Sequence, residues 1–319
     1  AYTTYILFGL IYTVVTIPYA TLTASLTQDY QARTKLSTYR IGCAFAGGFL
    51  VSVGTFPLVS LFADEALGFQ VLMLGFAVVA TVLLWVTFAT TREVVTPKVE
   101  KISIKDSLLA IGRNPPLLVV IGIFSCGMLS FTVRQTTTAY FFIYNVGDPS
   151  LISWFFTLTL GCMLVGIWAV PSLAERFGKA GATRLGAYLT IFACIGFYLT
   201  PYDAIPAIFF WGCLVELGGT PVAVLGWAMI PDTVEYAQLK HGVRADGAIY
   251  STAIFFQKLA KTLGGAGVAF ALGFAGYVAN AEQTPAALET IHILLTLVPV
   301  DIMLCLLYTS DAADECPAV

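Results

Sequence analysis

Nine apolar runs dominate the chain, at roughly 2–27, 41–63, 68–91, 115–144, 150–174, 182–201, 205–230, 247–279 and 287–308. A helix needs about 20 apolar residues, at about 1.5 Å each, to cross a hydrocarbon layer about 30 Å thick. Inside that layer the segment must satisfy its own backbone N–H and C=O groups. Runs of this length therefore predict an all-α membrane bundle, and the period-2 alternation of a membrane barrel is absent. Composition agrees: 58% of residues are hydrophobic and only 11% charged, against about a quarter charged in a soluble domain.

The loops give an independent test. Segments 28–40, 92–114, 175–184 and 231–246 hold 13 of the 16 lysines and arginines. The loops between them carry acids only: Asp64, Glu65, Asp148, Asp203, Glu282 and Glu289. The positive-inside rule assigns the basic set to the cytoplasm. The first run then enters from outside and the last ends inside. An odd number of spans, opening on Ala1, leads to the expectation of a truncated N-terminus, with no cleavable signal sequence. The basic loop 92–114 divides the chain into 1–91, the remainder of an N-terminal bundle, and 115–308, a six-helix C-terminal bundle. Residues 309–319 read as a small, acidic tail unlike the rest.

Enzyme classes find little support. The seven cysteines are scattered without a C-x-x-C pair, and His241 and His292 lie far apart, so no metal or cofactor site is expected. P-loop, nucleophile-elbow and metal motifs are missing, and so is a basic patch interleaved with aromatics. Nucleic acid and an obligate protein partner are accordingly not expected; the lipid bilayer is.

A few charges interrupt the apolar runs. Lys258 and Lys261 lie about 60° apart on one helical face, with Gly265 continuing the stripe. Lys258 is 12 residues from Asp246, about 18 Å and so near the midplane. A charge there costs about 2.5–3.5 kcal/mol unless it faces a wet cavity or a counter-charge. Arg134 heads a second stripe with Thr137, Thr138, Phe141 and Phe142, a mixture of donors and rings suited to a sugar. Thr13, Thr16, Ala20, Thr23 and Thr27 form a polar or small stripe on the first run, which Pro18 is expected to kink. Asp29, Arg33, Asp232, Glu235, Arg244 and Asp246 populate two cytoplasmic loops in opposite halves. Such residues form inter-bundle ion pairs in one state of a transporter and lose them in the other.

Two stretches carry a specific resemblance: "YTVVTIPYATLTASLTQDYQARTKLSTYR" (12–40) and "IPDTVEYAQLKHGVRADGAIYS" (230–251). "FFQKLAKTLGGAG" continues the second, and "ERFGKAGATR" resembles a general superfamily loop. Nearly the whole chain except the tail resembles the glycoside–pentoside–hexuronide:cation symporters, the melibiose-permease group of the major facilitator superfamily. The resemblance implies a 12-helix fold of which helices four to twelve are present, and alternating access in a bacterial cytoplasmic membrane. It places Tyr12 close to the sugar, Arg40 on the sugar hydroxyls and Lys258 at the cation site. Arg134 joins as a substrate-binding candidate from its stripe. The family's acidic cation ligands lie on helices outside this chain, which leaves Glu216, deep in a span, as the candidate partner of Lys258 or Lys261. Thr16 stands where melibiose permeases carry an aspartate and Ala20 where they carry a tryptophan. A pentoside, xyloside or hexuronide is therefore expected over a melibiose-type galactoside, with Na+ or H+ co-transported. The rival readings are a membrane sugar sensor without transport and a polytopic membrane enzyme.

Overall fold

The computed structural model describes residues 2–26, 29–59, 61–62, 64–91, 112, 114–241 and 246–314, and among them it is helical with no strand. We number the helices α1 (Tyr2–Leu26), α2 (Tyr30–Val59), α3 (Glu65–Thr90), α4 (Pro115–Tyr140), α5 (Leu151–Tyr198), α6 (Ile205–His241), α7 (Asp246–Phe274) and α8 (Pro285–Asp314). A π-helical turn, Phe141–Val146, extends α4 and stops at Gly147, which has φ 81°. Five helical stretches are long and apolar enough to cross a membrane by length and composition.

Two expected loops are helix. Residues 30–40 contain neither Gly nor Pro, so nothing stops α2 from starting at Tyr30, where Asp29 Oδ2 accepts from Ala32 N at 2.9 Å. Arg33, Lys35 and Arg40 thus belong to the first turns of a 30-residue helix. At 37 residues α6 likewise continues through Pro231 into the second basic segment. The tail boundary at 308 also falls inside a helix, since α8 runs to Asp314.

Helix α5 is a hairpin. Its 48 residues contain one break, Gly178, with φ 71° and ψ 168°, a conformation open to glycine almost alone. The two arms return to the same neighbour. A Cβ built on Gly166 would meet Leu217 and Thr220, and one on Gly186 would meet the Gly218 carbonyl at 2.5 Å. Residues 166 and 186 would be about 30 Å apart in a straight helix, so the chain reverses at Gly178. At the Gly186–Gly218 crossing the backbones touch, because a Cβ on Gly218 would lie 2.7 Å from Thr190 N.

The arms of α5 pack on α6, and α4 packs on α8, α7 and α6. Helices α1 and α2 lie against this group more than against each other, α1 chiefly on α7 and α2 on α5 and α6, whereas α3 packs chiefly on α2. Helix α3 leaves Leu74, Trp85 and Phe88 exposed, as a lipid-facing helix would. One core cluster runs from Leu117 and Phe124 to Val234 and Tyr250. A second gathers Phe141, Phe142, Phe155, Phe197 and Leu272. That second cluster corrects one expectation. Phe141 and Phe142 are buried against Phe197 and Phe155 and offer no ring to a sugar, because the π turn redirects them away from the Arg134 stripe.

Candidate functional site at the junction of the helix groups

Helices α2, α4, α5, α6, α7 and α8 surround a cavity of about 170 Å³. Its lining includes Phe45 and Met163 on the apolar side and Ser130, Thr190, Gln257 and Lys261 on the polar side, with Arg134, Glu216 and Trp227 among them. A second space of about 360 Å³ adjoins it, sharing Phe45, Phe131, Met163 and Glu216 and adding Gln135.

Arg134 and Glu216 settle one expectation differently. Arg134 Nη1 donates to Glu216 Oε1 at 2.9 Å, and both residues are buried. The partner of Glu216 is therefore Arg134, not Lys258; Lys261 lines the same cavity. Both members of the pair lie in helices that pack directly on one another, which makes a close, charge-assisted contact possible without a long reach. Thr137 and Thr138 return their hydroxyls to Val133 O and Arg134 O. Thr138 shares a small crevice with Arg134 and Glu216, while Thr137 is packed away.

Lys258 crosses between the helix groups. Its Nζ donates to Thr13 Oγ1 at 2.8 Å and lies 5.7 Å from the centre of the Tyr12 ring. Thr13 can accept because its own proton goes to Gly9 O at 2.7 Å. Thr16 bonds back to Tyr12 O at 2.7 Å. Ala20 is 1% exposed, so a tryptophan could not replace it without repacking the core. Arg40 lies with its guanidinium 4.1 Å above the Trp227 ring and 6.0 Å from Tyr19, a cation–π sandwich in which Trp227 is the member that lines the cavity. Phe124 meets the same indole edge-on. Trp227 is a lone ring in its span, with no periodic partner to single it out in the sequence.

Near the Gly178 reversal, ion pairs join α2 to α5 and α6. Arg33 of α2 donates to Asp232 Oδ1 at 3.1 Å and also to Glu235, both on α6. Lys179, the residue after the hairpin break, donates to Asp232 Oδ2 at 2.6 Å and to Ala228 O at 3.0 Å. Arg33 and Lys179 are 2% and 3% exposed at their side chains. Burial opposes charge on Arg33, but Glu235 and Asp232 outweigh it and hold its pKa above the usual arginine value. Burial pushes the Lys179 ammonium below the usual lysine range, and Asp232 offsets only part of that. Arg33, Asp232 and Glu235 thus meet as their opposite loops suggested. Asp29 serves the N-terminus of α2 and Asp246 opens α7; Arg244 lies outside the described residues. Lys179 was missed, although "FGKAG" carried the signal: a basic residue directly after a glycine that must turn the chain.

Among the described residues no group of His, Cys, Asp and Glu could hold a metal ion. The arrangement offers donors, an indole face and a set of ion pairs that joins α2 to α5 and α6. Comparison with known proteins bears on its identity. The family model described as MFS/sugar transport protein matches residues 1–309. The chain is 35% identical to the isoprimeverose transporter of Lactiplantibacillus pentosus, covering 94% of this chain and 64% of that one. It is 31% identical to a putative sulfoquinovose importer of Escherichia coli (92% and 64%) and 30% to a glucuronide carrier protein homolog from the same bacterium (95% and 67%). The chain therefore spans just under two thirds of the length of the first two. The family is one of membrane transporters, not enzymes, and its all-helical, multi-pass character agrees with the fold. By a match that runs through 309 of its residues, the chain belongs to the MFS/sugar transport protein family of the major facilitator superfamily.

Proposed function

We propose that this chain is part of a secondary active transporter that couples Na+ or H+ to the movement of a sugar of the pentoside, xyloside or hexuronide class. Its home would be a bacterial cytoplasmic membrane. The observation that carries the reading is the lock of buried Arg33 and Lys179 with the partly exposed Asp232 and Glu235, beneath a partly polar central cavity. A cavity closed on the cytoplasmic side by reversible ion pairs is one of the two states that alternating access requires. Relatives named as transporters of isoprimeverose, a glucuronide and sulfoquinovose support a sugar as cargo.

In this reading Arg40 and Trp227 form one wall of the sugar site. The guanidinium fork is suited to paired hydroxyls and the indole to the apolar face of a sugar ring. Arg134 contributes from a neighbouring wall, and Tyr12 and Thr16 contribute from α1, beside Lys258. Lys258 is the coupling residue: it bridges to Thr13 across the two groups, so a cation arriving near it alters a contact that depends on their relative position. Glu216, neutralised by Arg134, is the acid available to this region. Domain limits at 91 and 115 are retained as those of the two rocking bundles.

The test is accumulation by the full-length protein against imposed Na+ and H+ gradients, for the parent and for Lys258→Ala. The variant should lose concentrative uptake while downhill exchange partly survives. Full accumulation by Lys258→Ala removes the coupling role, and no uptake of any sugar by the parent removes transport.

A further inference from the structure

One buried hydroxyl is left unanswered beside the ion pairs. Tyr250, in the first turns of α7, is 0% exposed, and its hydroxyl has no hydrogen-bond partner among the described residues. The ring itself is well housed, in the core cluster that also holds Trp227, Ile230 and Val234 of α6. A phenylalanine would fill that place without a polar atom, whereas a buried hydroxyl that lacks a partner is destabilising. Such an orphan calls for a reason. Charge surrounds it: Arg40 and Arg33 of α2, Asp232 of α6 and Asp246 of its own helix all act on the phenol. Tyr250 thus neighbours both the Arg40–Trp227 wall and the Arg33–Asp232 pair.

These neighbours do not move together in the transport reading, on which the inference rests. Arg33 and Arg40 travel with α2, while Asp232 and Tyr250 belong to α6 and α7 of the C-terminal bundle. Asp246 lies four residues from Tyr250 on one helix, so it is near in either state, and it leaves the hydroxyl unanswered here. Asp232 differs. Its Oδ1 is occupied by Arg33 Nη1 and its Oδ2 by Lys179 Nζ. When α2 withdraws, Oδ1 loses its donor beside a phenol that has one to give. We propose that Tyr250 is the replacement donor for Asp232: its hydroxyl is unpaired while the ion pairs are made and binds the Asp232 carboxylate once Arg33 has left. The hydroxyl thereby destabilises the closed state and stabilises the open one. It offsets part of the cost of parting the ion pairs and so keeps them reversible. Tyr250 acts through Asp232 and touches neither sugar nor cation.

The experiment is a double-mutant cycle of Tyr250→Phe with Arg33→Ala in the full-length protein, with Glu235→Gln as a control that weakens the ion pairs but keeps Arg33 on Asp232. Cytoplasmic maleimide labelling of Ser37→Cys, a buried position one turn beyond Arg33, reads the open fraction in a background without native cysteines. Tyr250→Phe alone should slow labelling roughly tenfold, with a melting temperature equal to or above the parent's. The same slowing should persist with Glu235→Gln. With Arg33→Ala the carboxylate is open to the hydroxyl in both states, so Tyr250→Phe should leave labelling unchanged and lower the melting temperature. Labelling of Tyr250→Phe that matches or exceeds the parent's overturns the inference. An equal slowing with and without Arg33 also overturns it, since the tyrosine would then be a packing residue only. Labelling that ignores Arg33→Ala as well removes the ion lock itself, and with it the cytoplasmic gate of the transport reading.

Discussion

Removing one carboxylate from the cytoplasmic lock should open it in proportion to what is left stranded. Asp232 is shared by Arg33 at 3.1 Å and Lys179 at 2.6 Å. Asp232→Asn therefore withdraws the counter-charge from two side chains that are 2% and 3% exposed. Loss of one partner from a buried pair costs about 3–5 kcal/mol. Arg33→Gln is milder: Asp232 keeps Lys179, and Glu235, whose side chain is 36% exposed, regains water. About 1–3 kcal/mol is expected there, and about 1 kcal/mol for Glu235→Gln. At about 1.4 kcal/mol per tenfold, the closed-to-open equilibrium should fall by roughly 100-fold or more, 5- to 100-fold and about 5-fold respectively. The assay is maleimide labelling from the cytoplasmic side of Ser37→Cys, a position 1% exposed one turn beyond Arg33, in a background lacking native cysteines. Ala193→Cys, buried in another part of the core, should stay unlabelled and so control for unfolding. Labelling of Ser37→Cys that is indifferent to Asp232→Asn, or greatest with Glu235→Gln, would refute the reasoning.

Arg134→Leu should lower the melting temperature of the purified protein sharply, because it strands a buried carboxylate at a cost of about 3–5 kcal/mol; adding Glu216→Leu should restore much of the loss, and a double variant no better than the single would show that the pair is not isolated. Gly186→Ala pushes a methyl group to 2.5 Å from the Gly218 carbonyl, so the α5–α6 crossing must part; about 1–3 kcal/mol of destabilisation is expected, read as a lowered melting temperature, whereas Gly161→Ala, with open space around it, should be neutral. In competition uptake assays, pentosides or uronides should displace substrate better than melibiose, and competition by melibiose alone would mean that Thr16 and Ala20 do not govern the choice of sugar.

The spans were legible because membrane burial writes a long, unambiguous signal, and among the described residues each of the nine apolar runs lies mostly on helix. Helix ends were not. The basic segment 28–40 was taken for a loop on charge, yet charge stops a span without stopping a helix: Tyr30–Arg40 is helical, and within 175–184 only Gly178 leaves the helical conformation. At the site, Arg33 meets Asp232 and Glu235, residues whose opposite charges in two separate loops are visible in the sequence. Which acid meets which base inside the membrane was out of reach, because Glu216 lies 82 residues from Arg134 and nothing local chooses between Arg134, Lys258 and Lys261. The fate of Phe141 and Phe142 turned on a π-helical turn, whose extra residue per turn defeats any extrapolation of a 3.6-residue stripe.

The hairpin at Gly178 leaves its own mark on how the lock can evolve. With a single non-helical residue at the reversal, that turn has no slack to absorb a change in chain length. Lys179 is fixed to Gly178 by one peptide bond, so its ammonium is aimed by the backbone and not by a loop. An inserted residue would rotate one arm by about 100° against the other and swing the lysine off Asp232. A tag or reporter domain placed at 178–179 should therefore act as a mutation of the lock, while the same insertion in a slack connection would pass unnoticed.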